Sequence, residues 1–168
     1  MYQTRTERPQ AGGLAGELND VFTHWEDVRG TRLAPAWDDF DWLRIPVSII
    51  PWCGLVDVRR DPVDFVYRFF GTARVQVQDR DLTGQSVREL RPVELGEKAF
   101  DEYAAVLEHR QPLMVETFGA EDISGKAREY RFLRLPFSDD GEHISQILAV
   151  SPFNALEIRA LHNFLEPY

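Results

Sequence analysis

Apolar residues recur at helical spacing in three segments of the chain. In residues 14–30 they return every three or four positions until a glycine supplies a stop. A longer stripe follows Pro92 and continues to Gln111, and a third follows Asn154, a residue type that caps helix N-termini. The pattern predicts an N-terminal helix, a long central helix and a C-terminal helix at residues 154–166.

Strand patterns occupy the positions between these helices. Residues 47–58 are rich in β-forming side chains but contain a proline and a glycine, which indicates an edge strand or a bulge. Plain alternation over residues 64–70 places Phe65, Tyr67 and Phe69 on one face. Three further strands are predicted at residues 113–118, 129–137 and 144–151.

The order of these elements is helix, two strands, several short helices, a long helix and three strands. That order predicts an α+β fold in which helices cover one face of a five-stranded antiparallel sheet, with N-terminal and C-terminal helices added. A length of 168 residues suits one domain. We expect a single domain over residues 14–168 with its core at 45–151, preceded by a mobile, polar leader at residues 1–13.

The charge of the chain limits its partners. Nineteen basic and twenty-eight acidic residues give a net charge of −9, which repels nucleic-acid phosphates and anionic lipid. No apolar stretch reaches the length of a membrane span, and the first residues lack the apolar core of a signal peptide. The sequence predicts a cytoplasmic protein that binds neither nucleic acid nor a membrane.

One segment, at residues 67–90, carries the sequence YRFFGTARVQVQDRDLTGQSVREL. Here a strand that ends in aromatic residues leads into short helices and, through a glycine-containing step, toward the long helix. This succession resembles the PAS superfamily. The runs LVDVRRDPVDFVYRFFGT and YRFLRLPFSDDGEHISQILAV further resemble a proteobacterial family of stand-alone, single-domain PAS-like proteins. The resemblance covers residues 25–153.

The resemblance implies a sensory domain with a ligand pocket between the sheet and its helices. The pocket candidates are Tyr67, Phe69, Phe100, Tyr103, Tyr130, Phe132 and Arg134. Ordinary core packing also accounts for each aromatic residue. Arg134 is the strongest polar candidate because its strand neighbours are nearly all apolar, whereas Arg68, Arg74 and Arg131 suit either an anion site or the outer face of the sheet.

The resemblance leaves the cofactor unknown, and the sequence itself requires none. His109, near the end of the long helix, is placed as in haem-binding relatives, but its charged neighbours indicate a solvated helix terminus. Cys53 lacks the Asn-Cys-Arg context of flavin photoreceptors, and a packing role suits it better. A single cysteine also excludes sites that need several thiolates.

Motifs for catalysis are missing from the sequence. Its four histidines are scattered, and no nucleophile, metal-binding or phosphate-loop pattern accompanies them. The clustered acids Asp38, Asp39 and Asp41 suit a solvent-facing loop better than a paired acid and base. One enzymatic alternative is an NTF2-like fold with His143 and Asp57, but such folds place more helix before the sheet.

Two functions without catalysis follow from these observations. In the first, the domain binds a small molecule in its interior and thereby changes its binding to a signalling partner. In the second, it is an interaction module without ligand, whose N-terminal helix or sheet face forms a homodimer or docks on a partner. A fully packed interior counts against the first hypothesis, and a monomer without partners counts against the second.

Overall fold

A computed structural model describes residues 3–10, 12–121 and 127–152. Its strands and helices are β1 Gln3–Glu7, α1 Gly16–Arg29, β2 Cys53–Arg59, β3 Asp64–Phe70, α2 Thr72–Gln78, α3 Val93–His109, β4 Leu113–Glu121, β5 Ala127–Phe137 and β6 Gln146–Val150. Short 3₁₀ helices lie at Trp37–Asp39, Trp42–Arg44, Val47–Trp52 and Val87–Glu89. Within these ranges no helix is long and apolar enough to cross a membrane. The predicted C-terminal helix at 154–166 lies outside the described residues.

The sheet has six antiparallel strands in the order β1-β4-β5-β6-β2-β3. The predicted α+β class is confirmed, with six strands rather than five. The additional strand, β1, pairs with β4 from Gln3 opposite Phe118 to Glu7 opposite Met114. The prediction of a mobile leader is therefore wrong for residues 3–7. Alternating threonine and charged residues suit an exposed edge strand, and β4 offers a free ladder edge.

The segment before β2 is a 3₁₀ helix rather than the start of a strand. Val47–Trp52 forms this helix, and β2 begins only at Cys53. Pro51 has no backbone N–H to donate, so a regular ladder does not extend through it. The strand predicted at 47–58 therefore starts too early.

A bulge in β3 changes which of its side chains face each side of the sheet. Leu55 lies opposite Phe69 but Val56 lies opposite Tyr67, so Arg68 is the extra residue. Tyr67 stays buried, whereas Phe69 points to the other side and is 37% exposed. The prediction that Phe69 shares a face with Tyr67 is wrong because the bulge reverses the alternation between them.

Two helical layers cover the two faces of the sheet. We call the face under α2 and α3 the inner face and the face under α1 the outer face. The apolar side of α1, with Val21, Phe22 and Trp25, is buried, and the Trp25 indole N–H donates to the carbonyl of Pro136 at 2.8 Å. Helix α1 thus buries its apolar stripe on its own sheet, so the stripe is not free for a dimer contact.

Candidate functional site

Aromatic side chains fill the space between the inner face and the helices α2 and α3. Phe65 and Tyr67 reach this space from β3, and Tyr103 reaches it from α3. The Phe65 ring centroid lies 5.3 Å from that of Tyr103 and 5.2 Å from that of Phe100. Tyr67 and Tyr103 are each 1% exposed. Because aromatic side chains pack this interior, its specificity for any ligand depends on its few polar atoms.

A buried ion pair lies at one side of this aromatic core. The Arg134 guanidinium on β5 donates from Nη2 to Glu102 Oε2 on α3 at 2.7 Å, and both side chains are 8% exposed. Its Nη1 donates to the Leu133 carbonyl at 3.0 Å and to Ser151 Oγ at 3.3 Å. Burial alone would lower the pKa of Arg134, but the Glu102 carboxylate, with smaller contributions from Tyr103 and Tyr67, outweighs burial and the pKa is raised. Arg134 is therefore a fixed cation.

A second guanidinium lies at the other side of the aromatic core. Arg74 on α2 donates to the Tyr67 hydroxyl at 3.2 Å and lies over the Phe70 ring, 5.1 Å from its centroid. A Cβ atom at Gly54 would lie 3.2 Å from Arg74 Nε, so the missing side chain there makes room for the guanidinium. No carboxylate among the described residues pairs with Arg74.

Tyr103 connects the two arginines. Burial raises the pKa of Tyr103 well above its usual range, and the neighbouring Tyr67 hydroxyl raises it further, whereas Arg134 and Arg74 act in the opposite direction. The Arg134 guanidinium carbon lies 5.5 Å from the Tyr103 ring centroid. We call Arg74, Tyr67, Tyr103, Arg134 and Glu102 the arginine–tyrosine cluster.

The arginine–tyrosine cluster contains one more cation than anion. Arg74 and Arg134 contribute two positive charges, and Glu102 contributes one negative charge. The Nε–H groups of both arginines are buried without a hydrogen-bond partner in the described part of the chain. Buried donors are normally satisfied, because leaving one unpaired costs about 1–3 kcal/mol. Both observations favour a further acceptor that carries one negative charge.

A cleft of about 370 Å³ lies at the surface beside the ion pair, with Glu102 in its lining. Its lining comes from α3, β1 and β4 and consists of Thr6, Lys98, Asp101, Glu102, Ala105 and Leu113. Leu113 lies opposite Arg134 in the ladder between β4 and β5. The volume falls within the range of roughly 300–1,000 Å³ that is usual for small-molecule sites. Glu102 is therefore the member of the cluster that this cleft exposes to a small molecule.

Six of the seven predicted pocket residues lie on the inner side of the sheet. They are Tyr67, Phe100, Tyr103, Tyr130, Phe132 and Arg134. Phe69 is the exception because of the bulge in β3. Of the four arginines considered from the sequence, Arg134 is buried and Arg74 is half-buried on the inner side. Arg68 and Arg131 lie on the outer side and pair with carboxylates.

Sequence reasoning missed Glu102. This residue lies within the apolar stripe of α3, three positions after Ala99 and four before Val106, both of which are buried. An acid on an apolar helix face is a signal for burial with a cationic partner. The sequence alone did not say which arginine would meet it, because that pairing is set by how α3 crosses β5.

The other candidate residues are dispersed. His109 is exposed at the end of α3, outside the aromatic core. Cys53 is fully buried, its thiol donates to the Ile49 carbonyl at 3.4 Å, and burial raises its pKa to about 12. The thiol therefore stays protonated and unreactive at neutral pH.

The candidate acids and bases do not form a catalytic pair in the described ranges. Asp39 pairs with Arg32 at 2.9 Å, and Asp41 accepts from the Leu43 backbone N–H. Asp57 pairs with Arg68, and His143 pairs with Asp140. No group of three or more metal-ligating side chains occurs in the part of the chain that the structure describes.

Comparison with known proteins finds similarity to solved structures alone. No protein-family model matches the chain, and no curated protein matches it. An RNA-binding light-oxygen-voltage receptor is 12% identical over 98% of this chain, with a TM-score of 0.50. This chain spans 43% of that receptor's length.

Two other similar structures are more distant. The VqmA–ligand–DNA complex of Vibrio cholera is 12% identical over 68% of this chain and 53% of that chain, with a TM-score of 0.44. The light-state dimer of the fungal blue-light photoreceptor Vivid is 10% identical over 65% of this chain and 80% of that chain, with a TM-score of 0.41.

The chain has a PAS-like fold, as the sequence predicts. The likeness to the light-oxygen-voltage receptor extends over nearly the whole chain and is a likeness of fold. The narrower resemblance to a proteobacterial PAS-like family stays a prediction. Helix α3 lies between β3 and β4, which is the element order that distinguishes this fold from the NTF2-like alternative.

Proposed function

We propose that this protein is a sensory PAS domain that binds a small organic monoanion in the arginine–tyrosine cluster and catalyses no reaction. The carrying observation is the excess positive charge of that cluster, together with its two buried Nε–H groups that lack acceptors among the described residues. A carboxylate bound in the cluster accepts from such an Nε–H group and balances the charge. Buried charges are tolerated when such pairing is complete.

The surroundings favour an anion with an apolar body. Phe65, Phe100 and Phe132 border the cluster and offer ring faces and edges to an aromatic or aliphatic group. The volume of the cleft sets a limit near that of a small metabolite. One carboxylate balances the single excess positive charge of the cluster. A polyanion would bring more negative charge than the cluster balances.

Binding at this position affects how helix α3 lies on the sheet, and such a change can act as a signal. Glu102 is carried by α3 and Arg134 by β5, and a ligand carboxylate on the Nε–H of Arg134 would be a second anion beside the same guanidinium. Occupancy of the site by a ligand therefore favours a different position of α3 relative to the sheet. A partner protein that binds the two positions with different affinity responds to this shift in their populations. We place the protein in the cytoplasm and, because of its net charge of −9, expect no contact with nucleic acid.

Thermal unfolding with benzoate and benzamide as probes tests the proposal. These molecules have nearly the same shape and differ in charge. Ligand at 100 times its Kd stabilises a protein by about 2.7 kcal/mol, which corresponds to roughly 5–10 °C for a domain of this size. We expect benzoate to raise the Tm with saturation and benzamide to leave it unchanged.

Two arginine variants provide the matched control. Arg74→Met removes the unpaired cation of the cluster, and we expect it to abolish the benzoate effect. Arg68→Met removes an exposed arginine of the outer side, and we expect the benzoate effect to persist. An equal response to benzoate and benzamide, or an unchanged response in Arg74→Met, contradicts the proposal.

A second candidate function is an interaction module without ligand. The observation that favours it is the dense aromatic interior, in which Phe65 is fully buried and Tyr67 and Tyr103 are nearly so. In that case the two arginines stabilise the fold alone, no carboxylate raises the Tm, and signalling rests on the outer surface.

A further inference from the structure

A glycine in the middle of the sheet lies beside Arg74. Gly54 is buried in β2, with Phe70 of β3 opposite it on one side and Ala149 of β6 on the other. It lies two positions before Val56, which belongs to the inner core, so a side chain at this position would point to the same side. Glycine weakens a strand interior and often marks the close approach of another group. The glycine therefore points to the neighbour that occupies this space.

The guanidinium of Arg74 fills the space that Gly54 leaves. A Cβ atom on Gly54 would lie 3.2 Å from Arg74 Nε, 3.3 Å from Arg74 Cζ and 3.1 Å from Tyr67 Cε1. The Tyr67 ring has little room to yield, because it is 1% exposed and its centroid lies 4.7 Å from that of Phe70. If a side chain were added at Gly54, the flexible arginine would therefore be the group that moves.

Tyr67 also holds this guanidinium. Its hydroxyl accepts from Arg74 Nη2 at 3.2 Å, and the guanidinium carbon lies 5.7 Å from the Tyr67 ring centroid and 5.1 Å from that of Phe70. A cation is attracted to aromatic rings at such distances. One hydroxyl, two rings and the space at Gly54 together restrict the position of Arg74.

These contacts leave the charge of Arg74 uncompensated. Arg134, by contrast, pairs with the Glu102 carboxylate at 2.7 Å. No carboxylate among the described residues pairs with Arg74, and its Nε–H, beside Gly54, is buried without an acceptor there. A guanidinium that neutral groups alone hold in place is ready to pair with a bound anion.

We propose that Gly54 and Tyr67 are positioning residues of the anion site, which hold the Arg74 guanidinium in the place where a bound carboxylate pairs with it. This inference rests on the function proposed above, because it assigns roles to two residues of the same site. Both residues are neutral, and Gly54 has no side chain to contact a ligand, so both act through Arg74. A group that is ordered before binding loses less conformational freedom when the ligand arrives, and affinity increases accordingly.

Isothermal titration calorimetry of the full chain with benzoate tests the effect on affinity. Gly54→Ala keeps every functional group of the cluster and displaces the guanidinium, whereas Tyr67→Phe keeps the ring and removes the hydroxyl. We expect each variant to raise the Kd for benzoate roughly tenfold. Gly13→Ala is the matched control, because its Cβ would also lie 3.2 Å from a neighbour, the Gln10 carbonyl, at an exposed position outside the cluster. We expect its Kd to be that of the wild type.

The ¹⁵N–¹H NMR signal of the Arg74 Nε–H group distinguishes positioning from a purely structural role. In the ligand-free wild type this group is buried, so we expect its hydrogen to exchange slowly with water and its signal to shift when benzoate is added. In Gly54→Ala and Tyr67→Phe we expect this exchange to be roughly tenfold faster. The backbone of Gly54 lies outside the left-handed region, so alanine fits there and the urea midpoint of Gly54→Ala should be unchanged. Arg74→Met assigns the signal by its absence.

Three results would overturn the proposal. If the wild type binds benzoate and both variants bind it with the same Kd, the positioning role is wrong and the proposed function is unaffected. If the wild type binds no benzoate, both proposals are wrong. A lower urea midpoint of Gly54→Ala with unchanged exchange of the Arg74 Nε–H would show that the glycine serves packing alone.

Discussion

Arg134 and Glu102 are charged side chains in surroundings that are otherwise mostly apolar. Moving two charges from water into a protein interior is costly, and their attraction offsets that cost only while both are present. Each residue therefore depends on the other. The hydrogen bonds of Arg134 to Leu133 and Ser151 fix the geometry in which the pair forms.

Removing one member of the pair tests this dependence. Arg134→Met leaves the Glu102 carboxylate buried and uncompensated, and we expect a loss of about 3–5 kcal/mol in the free energy of unfolding. The double variant Arg134→Met with Glu102→Leu removes both charges, and most of the loss should be recovered. Urea unfolding at neutral pH measures both values. A double variant as unstable as the single one would contradict the pairing.

His24 is a buried histidine that must be neutral in the folded protein. Its Nε2 accepts the backbone N–H of Asp41 at 3.1 Å, and its ring lies 4.7 Å from that of Phe40. Burial lowers the pKa of His24, as does the nearby Arg44, whereas Asp41 and Asp27 act in the opposite direction. Protonation of Nε2 would turn this atom into a donor, whereas the backbone N–H of Asp41 needs an acceptor there.

A pH dependence of stability follows from this lowered pKa. The unfolded chain takes up a proton at about pH 6.5 that folded His24 does not, so the free energy of unfolding is highest above that pH and decreases as the pH falls through it. His24→Gln keeps an acceptor and cannot titrate. We expect chemical denaturation between about pH 7.5 and about pH 5.5 to show a smaller decrease for this variant than for the wild type. Equal slopes would contradict the assignment.

The buried thiol of Cys53 gives a chemical test of packing. Its pKa of about 12 and its lack of exposure keep the reactive thiolate from forming at pH 8. We expect no reaction with a disulfide reagent such as DTNB in the folded protein and one thiol per chain after denaturation. Rapid reaction of the folded protein would show that the outer core opens.

Single residues were predictable where the surrounding pattern was informative. Arg134 stood out because apolar residues flank it in a strand. Phe69 was misplaced because a bulge depends on hydrogen bonding between strands and leaves no reliable mark in the sequence. Glu102 was missed because its partner is distant in sequence and is brought near only by tertiary packing.

At the scale of elements, periodic segments were predictable and irregular ones were not. The helices α1 and α3 and the strands β3 to β6 carry regular apolar patterns, and all of them form close to the predicted positions. The segment Val47–Trp52 has strand-like composition, but its proline favours a 3₁₀ helix. Strand β1 has no apolar face, and its pairing with β4 depends on a free edge that only the assembled sheet provides.

Strand β1 lies at the edge of the sheet and can be removed by deletion. In the described part of the chain its only ladder is with β4, and it contributes Thr6 to the cleft. We expect deletion of residues 1–8 to leave the remaining sheet folded but to speed amide exchange in β4 roughly tenfold, which corresponds to about 1.4 kcal/mol of lost protection. Hydrogen exchange with mass spectrometry measures this, and β2 serves as the internal control. Equal acceleration in β2 would show that β1 supports the whole fold.

At the scale of the molecule, one sheet separates two surfaces with different chemistry. The inner side holds the arginine–tyrosine cluster, and the outer side holds a groove lined by aromatic side chains that include Trp42 and Phe69. Strand β3 takes part in both, because Tyr67 points inward and Phe69 points outward on either side of the bulge. The inner cluster and the outer groove are therefore joined by one strand.

The mass of the purified protein under native and denaturing conditions is the most direct test of whether the interior binds one organic monoanion. We expect a noncovalent adduct of one small carboxylic acid per chain, present in the wild type as purified or after addition of benzoate. The adduct should be lost on denaturation and absent from Arg74→Met. A wild-type protein that carries no adduct under either condition, or an adduct that Arg74→Met retains, would contradict the account.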